Sequence, residues 1–187
     1  EPVVRPAASA PVLIKQLLDV GFRTLLLPMV DTPEQAARLV AATRFPPHGI
    51  RGVAGSTTRA SGFGTRTDYL ATAHEELCVI VQIESRTGLE HVAEIAATPG
   101  VDGVFIGPGD LAASLGHLGD PGHPEVRSAI EAALPEIRKA GKFAGTFASG
   151  PQDARWWVER GVTFVSVGSD VALLAAACRS LRAAVDF

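Results

Sequence analysis

Short apolar runs and amphipathic segments alternate along the chain. Six runs are nearly continuous in β-branched, leucine and aromatic residues: Pro2–Arg5, Thr24–Met29, Leu77–Glu84, Gly103–Gly107, Lys142–Phe147 and Thr163–Gly168. Apolar at successive positions rather than alternate ones, they predict parallel strands buried on both faces. Helical periodicity fills the intervals. Pro11–Val20 carries Leu13, Ile14, Leu17 and Leu18 on one stripe, and Thr32–Arg44 opens with a capping Asp31 or Thr32 and with Pro33 in its first turn. Thr87–Ala97 turns Leu89, Val92, Ile95 and Ala96 to one side. His123–Ala140 and Pro151–Arg160 end at Gly141 and Gly161, and the Ala- and Leu-rich Val171–Ala184 follows the last strand.

Strand and helix in strict alternation specify an α/β protein with a parallel sheet and right-handed crossovers. No G-x-G-x-x-G follows the first strand, which disfavours a dinucleotide fold. A full eight-unit barrel needs about 250 residues. The 187 residues here fall about two βα units short, and the chain opens directly on a strand-like segment. The expectation is one domain over residues 1–187, a parallel (β/α)8 TIM barrel whose first two units are missing from this chain. One long connection, Phe45–Asp68, is rich in Gly, Thr, Ser and Arg. Loops of that length often serve function, so Arg59 or Arg66 is a candidate to receive a distal substrate carboxylate. A plain surface loop is the alternative.

Composition narrows the classes. The net charge of −3, with no basic run, argues against nucleic acid as a partner. Leu25–Val30 and Cys78–Val81, the longest apolar stretches, are too short to span a bilayer. Cys78 and Cys178 lack metal-type spacing, which fits a reduced, cytoplasmic setting.

Active sites of parallel barrels lie at the C-terminal ends of the strands, and two acids stand there. Glu84 ends the third strand and Asp110 follows the fourth. Neighbouring strands lie about 4.8 Å apart, so both carboxylates can share one hard divalent ion such as Mg²⁺ or Mn²⁺. The plainer reading is that they cap the next helices, Asp110 before Leu111 being a fair N-cap. Gln82, two residues before Glu84, points to the same side of its strand. It is either a satisfied core amide or a group that orients substrate. Arg5 ends the first strand and either makes a surface ion pair or stabilises a carboxylate or enolate oxygen. Gly107-Pro108-Gly109-Asp110 is either a strand-to-helix turn or a backbone cradle for a small carboxylate. The five histidines (His48, His74, His91, His117 and His123) lack metal-type spacing and read as solvated surface, with His123 at a helix start.

Taken together, Val81-Gln82-Ile83-Glu84-Ser85-Arg86, Gly100-Val101-Asp102-Gly103-Val104-Phe105-Ile106-Gly107-Pro108-Gly109-Asp110-Leu111 and Phe45-Pro46-Pro47-His48-Gly49-Ile50-Arg51-Gly52 resemble the HpcH/HpaI aldolase (citrate lyase) family. The likeness runs over essentially the whole chain. It is closest to the 4-hydroxy-2-oxoheptanedioate and 2-keto-3-deoxy sugar acid aldolases of aromatic and sugar acid catabolism. It implies a modified TIM barrel, commonly a hexamer whose C-terminal helix packs on a neighbour. The implied chemistry is that of a class II aldolase, which uses a divalent metal (Mg²⁺ or Mn²⁺, with Co²⁺ or Zn²⁺ as alternatives) on pyruvate and an aldehyde. By matched position the resemblance makes Glu84 and Asp110 metal ligands. It sets Gln82 beside metal and pyruvate and makes Arg5 the stabiliser of the enolate. The pyruvate carboxylate falls to Gly107, Pro108, Gly109 and Asp110, and Phe147 lines the pocket. Asp19 matches an acid that pairs with the catalytic histidine, across a subunit contact in one arrangement. The histidine itself belongs to a segment that would precede Glu1, and none of the five here matches it. The rivals are a CoA-ester lyase of the citrate lyase β-subunit type and a non-catalytic oligomeric barrel subunit.

Overall fold

A computed structural model describes residues 1–185. Its six strands are β1 (Val3–Val4), β2 (Thr24–Leu27), β3 (Cys78–Ile83), β4 (Gly103–Ile106), β5 (Phe143–Phe147) and β6 (Phe164–Ser166). All neighbours pair in parallel, and the spatial order is the sequence order, β1 to β6. A doubly wound sheet would reverse direction at a switch point. Monotone order is the winding of a barrel, and the sheet curls into a half-barrel of TIM type.

The longer helices form where the periodicity places them: α1 (Pro11–Val20), α2 (Pro33–Thr43), α7 (Pro124–Lys139), α8 (Pro151–Glu159) and α9 (Asp170–Val185). Thr32 caps α2 by accepting the Gln35 N–H at 3.2 Å. The segment expected as one helix over Thr87–Ala97 divides at His91 into α4 (Arg86–Glu90) and α5 (Val92–Ala97). There the His91 Nδ1–H turns to the carbonyls of Asp31 and Thr87, both at 3.0 Å. One helix was not expected, and another starts before its expected cap at Asp110. The short α3 (Tyr69–Thr72) follows the long connection, and α6 (Pro108–Leu115) begins directly after β4.

Strand parity divides the molecule in two. Leu25, Leu27, Val79, Val81, Ile83, Val104, Ile106 and Ala144 lie on the helix side, in one aliphatic core with Ile14, Leu18, Leu39, Ile95, Leu111, Ile130, Ile137 and Trp157. The alternate residues face the concave side, and there large and small interleave. Gly103 pairs with Phe143, and Phe105 pairs with Gly145, which pairs with Phe164. Phe105 and Phe164 meet edge to face at 5.7 Å. A Cβ on Gly145 would lie 2.7 Å from the Phe105 ring and 3.0 Å from the Phe164 carbonyl oxygen, so glycine is required for strand and rings to coexist.

Gly145→Ala is therefore expected to destabilise the fold by about 1–3 kcal/mol, the usual cost of overpacking a filled core. Gly150→Ala, which meets nothing within 4 Å, is the control. The midpoints of urea unfolding check the pair; equal midpoints would show that the concave face yields.

Candidate active site at the strand C-terminal ends

The site grows out of the concave parity. Gln82 and Glu84 extend β3 toward its C-terminal end and are both buried, Glu84 with 3% of its surface exposed. A buried carboxylate needs donors, and two are supplied. The Gln82 amide donates to Glu84 Oε2 at 2.6 Å, and the Met29 backbone N–H donates to Oε1 at 2.9 Å. Met29 presents its amide from a left-handed backbone, φ 56°, at the top of β2. Gly107 completes the enclosure, since a Cβ there would sit 2.7 Å from Gln82 Nε2 and 2.8 Å from Glu84 Oε2.

Burial pushes the Glu84 carboxyl above the usual carboxylate range. The Met29 amide opposes that shift, the adjoining Asp110 carboxyl adds to it, and the charge of Arg5 pulls it back. Four sequence-predicted residues thus meet: Arg5, Gln82, Glu84 and Asp110. Arg5 and Asp110 are exposed at the rim while the β3 pair is buried beneath them.

Asp110 is not an N-cap. Gly107 caps α6, and Asp110 lies in the first turn. The Gly107 N–H is taken by Ile83 O at 3.0 Å, and the Leu111 N–H by Gly107 O at 3.1 Å. Pro108 has no N–H, so the Gly109 and Asp110 amides are the donors that the helix itself cannot satisfy. Space above Gly109 is open, with nothing within 4 Å of where its Cβ would be. Phe147 ends β5 on the same concave face, 42% exposed.

Gln82, Glu84 and Asp110 suit a bound cation. Gln82 Oε1 is buried without a hydrogen-bond partner among the described residues. Beside it two carboxyls adjoin, one with its ionised form disfavoured by burial. An orphaned amide oxygen and paired carboxylates form an all-oxygen donor set for a hard divalent ion, whose charge offsets the crowding.

Three other predicted residues lie elsewhere. Asp19 is in the last turn of α1, near the N-terminal ends of the strands, and pairs with Lys15 and with Arg51 Nη2 at 2.7 Å. Within this chain it is held by cations rather than turned toward the site. Arg59 and Arg66 line a cavity of about 340 Å³ with Pro2, Phe22, Arg23 and Leu77, residues that precede the strands. Arg66 pairs with Glu76 at 2.6 Å. The long connection thus packs beneath the barrel, and the expected role for Arg59 or Arg66 in receiving substrate is not met at the mouth of this chain. Sequence reasoning missed the Met29 amide, which no side-chain motif announces. It also missed the meeting of His117 with His123 and Glu125: their rings stack at 3.5 Å, and His117 Nε2 lies 2.8 Å from Glu125.

Residues 1–177 match the profile of the HpcH/HpaI aldolase/citrate lyase family. A hydroxypyruvate/pyruvate aldolase of Chromohalobacter salexigens is 57% identical over 173 residues, 92% of this chain and 68% of that protein. A 4-hydroxy-2-oxo-heptane-1,7-dioate aldolase of Shigella flexneri is 50% identical over 183 residues, 98% of this chain and again 68% of that protein. The chain therefore spans about two thirds of the length of these relatives. The crystal structure of a family protein from Burkholderia cenocepacia superposes with a TM-score of 0.95 at 49% identity, covering 100% of this chain and 74% of that one. With its monotone parallel half-barrel and its acids at the strand ends, the chain belongs to the HpcH/HpaI aldolase/citrate lyase family, and its enzyme class is that of the carbon–carbon lyases.

Proposed function

We propose that this chain carries the pyruvate-binding half of a class II aldolase site. The reaction cleaves 4-hydroxy-2-oxo acids to pyruvate and an aldehyde and runs in reverse as pyruvate addition. The observation that carries the reading is the buried Gln82–Glu84 pair, with its unpartnered amide oxygen, next to the Asp110 carboxyl. Glu84 and Asp110 would hold the cation, Mg²⁺ or Mn²⁺ by the hardness of the donors. When bound, it supplies Lewis-acid stabilisation of an enolate oxygen. The relatives' names share a 2-oxo acid, hydroxypyruvate, pyruvate or 4-hydroxy-2-oxoheptanedioate, in agreement with that chemistry.

The chain's own residues divide the remaining work. The first-turn amides of Gly109 and Asp110 receive the substrate carboxylate at the positive end of α6. Gln82 orients the 2-oxo end from below. As the 4-hydroxyl proton leaves, the C3–C4 bond breaks and its electron pair passes to the C2 carbonyl. Arg5 at the rim shares the negative charge that develops there. Protonation at C3 then gives pyruvate. Phe147 offers an apolar wall to the substrate. The general base is assigned by resemblance to a histidine with no counterpart among these residues, so the proposal covers binding and enolate stabilisation.

Helix α9 follows the last strand with Val171, Leu173, Leu174, Leu181 and Val185 exposed and no residue buried. A helix this apolar calls for a partner surface. A second copy of the chain is proposed as that surface. No described helix is long and apolar enough to cross a membrane.

Glu84→Gln and Asp110→Asn should each lower kcat/KM for pyruvate release by about 10²-fold or more, because several kcal/mol of charge stabilisation depends on the site. Arg5→Ala should cost about 10²–10³-fold. A coupled pyruvate assay over a panel of 4-hydroxy-2-oxo acids with added Mg²⁺ or Mn²⁺ measures this, and no release from any would sink the proposal. In chelator, the folded state keeps a proton on Glu84 at pH values where the unfolded chain has lost it. Stability should thus fall as pH rises from the ordinary carboxylate range through the raised one. Glu84→Gln should flatten that slope in thermal melts. Sedimentation should show an oligomer, and α9 with Leu173→Glu and Leu181→Glu should dissociate it.

A further inference from the structure

We propose that His117, His123 and Glu125 form a second cation site, where the loop after α6 enters the first turn of α7, with a preference for Zn²⁺-type ions over Mg²⁺. One ligand atom from each residue lies within 4.8 Å of the others. Two imidazoles and one carboxylate are the donor set of a borderline-soft ion, and an open His₂Glu set leaves a fourth position for water. The barrel site is all oxygen and suits a hard ion, so the two differ in chemistry as well as in place.

The loop holds the ligands together before any ion arrives. Gly116 and Gly119 adopt left-handed backbone, φ 94° and 86°, and reverse the chain after α6. Within the reversal, the His117 N–H donates to Ala112 O at 2.7 Å, the Asp120 N–H to His117 O at 3.0 Å and the His123 N–H to Asp120 O at 3.2 Å. The two imidazoles stack at 3.5 Å with 15° between their planes. The backbone contacts reduce the ordering cost of binding, while the stacked rings must turn out of their parallel planes to aim a lone pair each at one ion.

The contacts that an ion must displace are modest. His117 Nε2 meets Glu125 Oε2 at 2.8 Å, and moving its proton to Nδ1 frees that lone pair without loss of charge balance. His123 Nδ1 accepts the Glu125 N–H at a long 3.2 Å. The Glu125 carboxyl is held below its usual range, first by the His117 hydrogen bond, so it is present as the anion a cation needs. The charge of Arg86 also favours the anionic form of this carboxyl. His117 and His123 are half-buried and Glu125 is exposed, so small side-chain rotations can close the ligands to bonding distance.

Zn²⁺ titration with a chelating dye, on protein carrying Glu84→Gln and Asp110→Asn, isolates the loop site whether or not the barrel site binds metal. One Zn²⁺ per chain is expected, unaffected by excess Mg²⁺. His117→Ala or His123→Ala should weaken it at least about 10-fold, and Glu125→Gln less. Co²⁺ in place of Zn²⁺ should give visible absorption of a four-coordinate, nitrogen-containing site, lost in the same variants. Circular dichroism verifies the fold of each. No stoichiometric Zn²⁺, equal competition by Mg²⁺, or affinity unchanged by both histidine variants would overturn the proposal.

Discussion

The arrangement at the mouth of the half-barrel depends on one buried carboxylate. Glu84 is taken out of water with two donors on its oxygens, the Gln82 amide and the Met29 N–H, and a second carboxyl beside it. Neither donor carries a full charge, so the ionised form is left under-compensated. The neighbourhood is shaped around that fact. Met29 holds a left-handed backbone to present its amide, Gly107 gives up a side chain so that Gln82 and Glu84 can occupy its space, and Gln82 leaves its own oxygen without a partner. Each feature costs free energy in isolation. Together they fit the cation proposed for this site, whose charge would offset the crowding of the two carboxyls.

Much of this was legible in the sequence because strands have period two. Given a strand over Leu77–Glu84, Gln82 and Glu84 must share a face, and the opposite face, Val79, Val81 and Ile83, must be aliphatic to pack on helices. The glycines at 103, 107 and 145 were visible too, but their partners, Phe143, Glu84 and Phe105, came only with the register between strands. Helix α6 begins before the expected cap at Asp110, because Gly107-Pro108-Gly109-Asp110 reads as a turn. Its Pro in the first turn is instead a helix-starting signal, and the apolar Leu111 and Ala112 supply the buried face.

Arg59, Arg66 and Asp19 lie away from the strand C-terminal ends of this chain for a topological reason. In a βα repeat, the segment joining a helix to the next strand lies at the N-terminal ends of the strands, opposite the chemistry. Phe45–Asp68 runs from the end of α2 toward β3, and Asp19 lies in the last turn before β2. Both are on the stabilising end. There Arg51 is buried with its guanidinium 4.5 Å over the Phe45 ring, joined to Asp19 and to the Tyr69 hydroxyl at 3.0 Å.

The histidines show the limit of spacing rules. Motifs such as H-E-x-x-H work because a regular helix converts spacing into geometry. His117 and His123 are six apart across a loop, and only two left-handed glycines and three backbone hydrogen bonds bring their rings into contact. The same argument separates the two candidate cation sites by origin. Glu84 is fixed by the sheet, shared between β2, β3 and the start of α6. His117 and His123 are fixed by the chain reversal between α6 and α7, with His123 capping α7. Oxygen donors rooted in the core and nitrogen donors on a surface loop therefore answer to different constraints, the first to the geometry of the parallel sheet and the second to a single chain reversal.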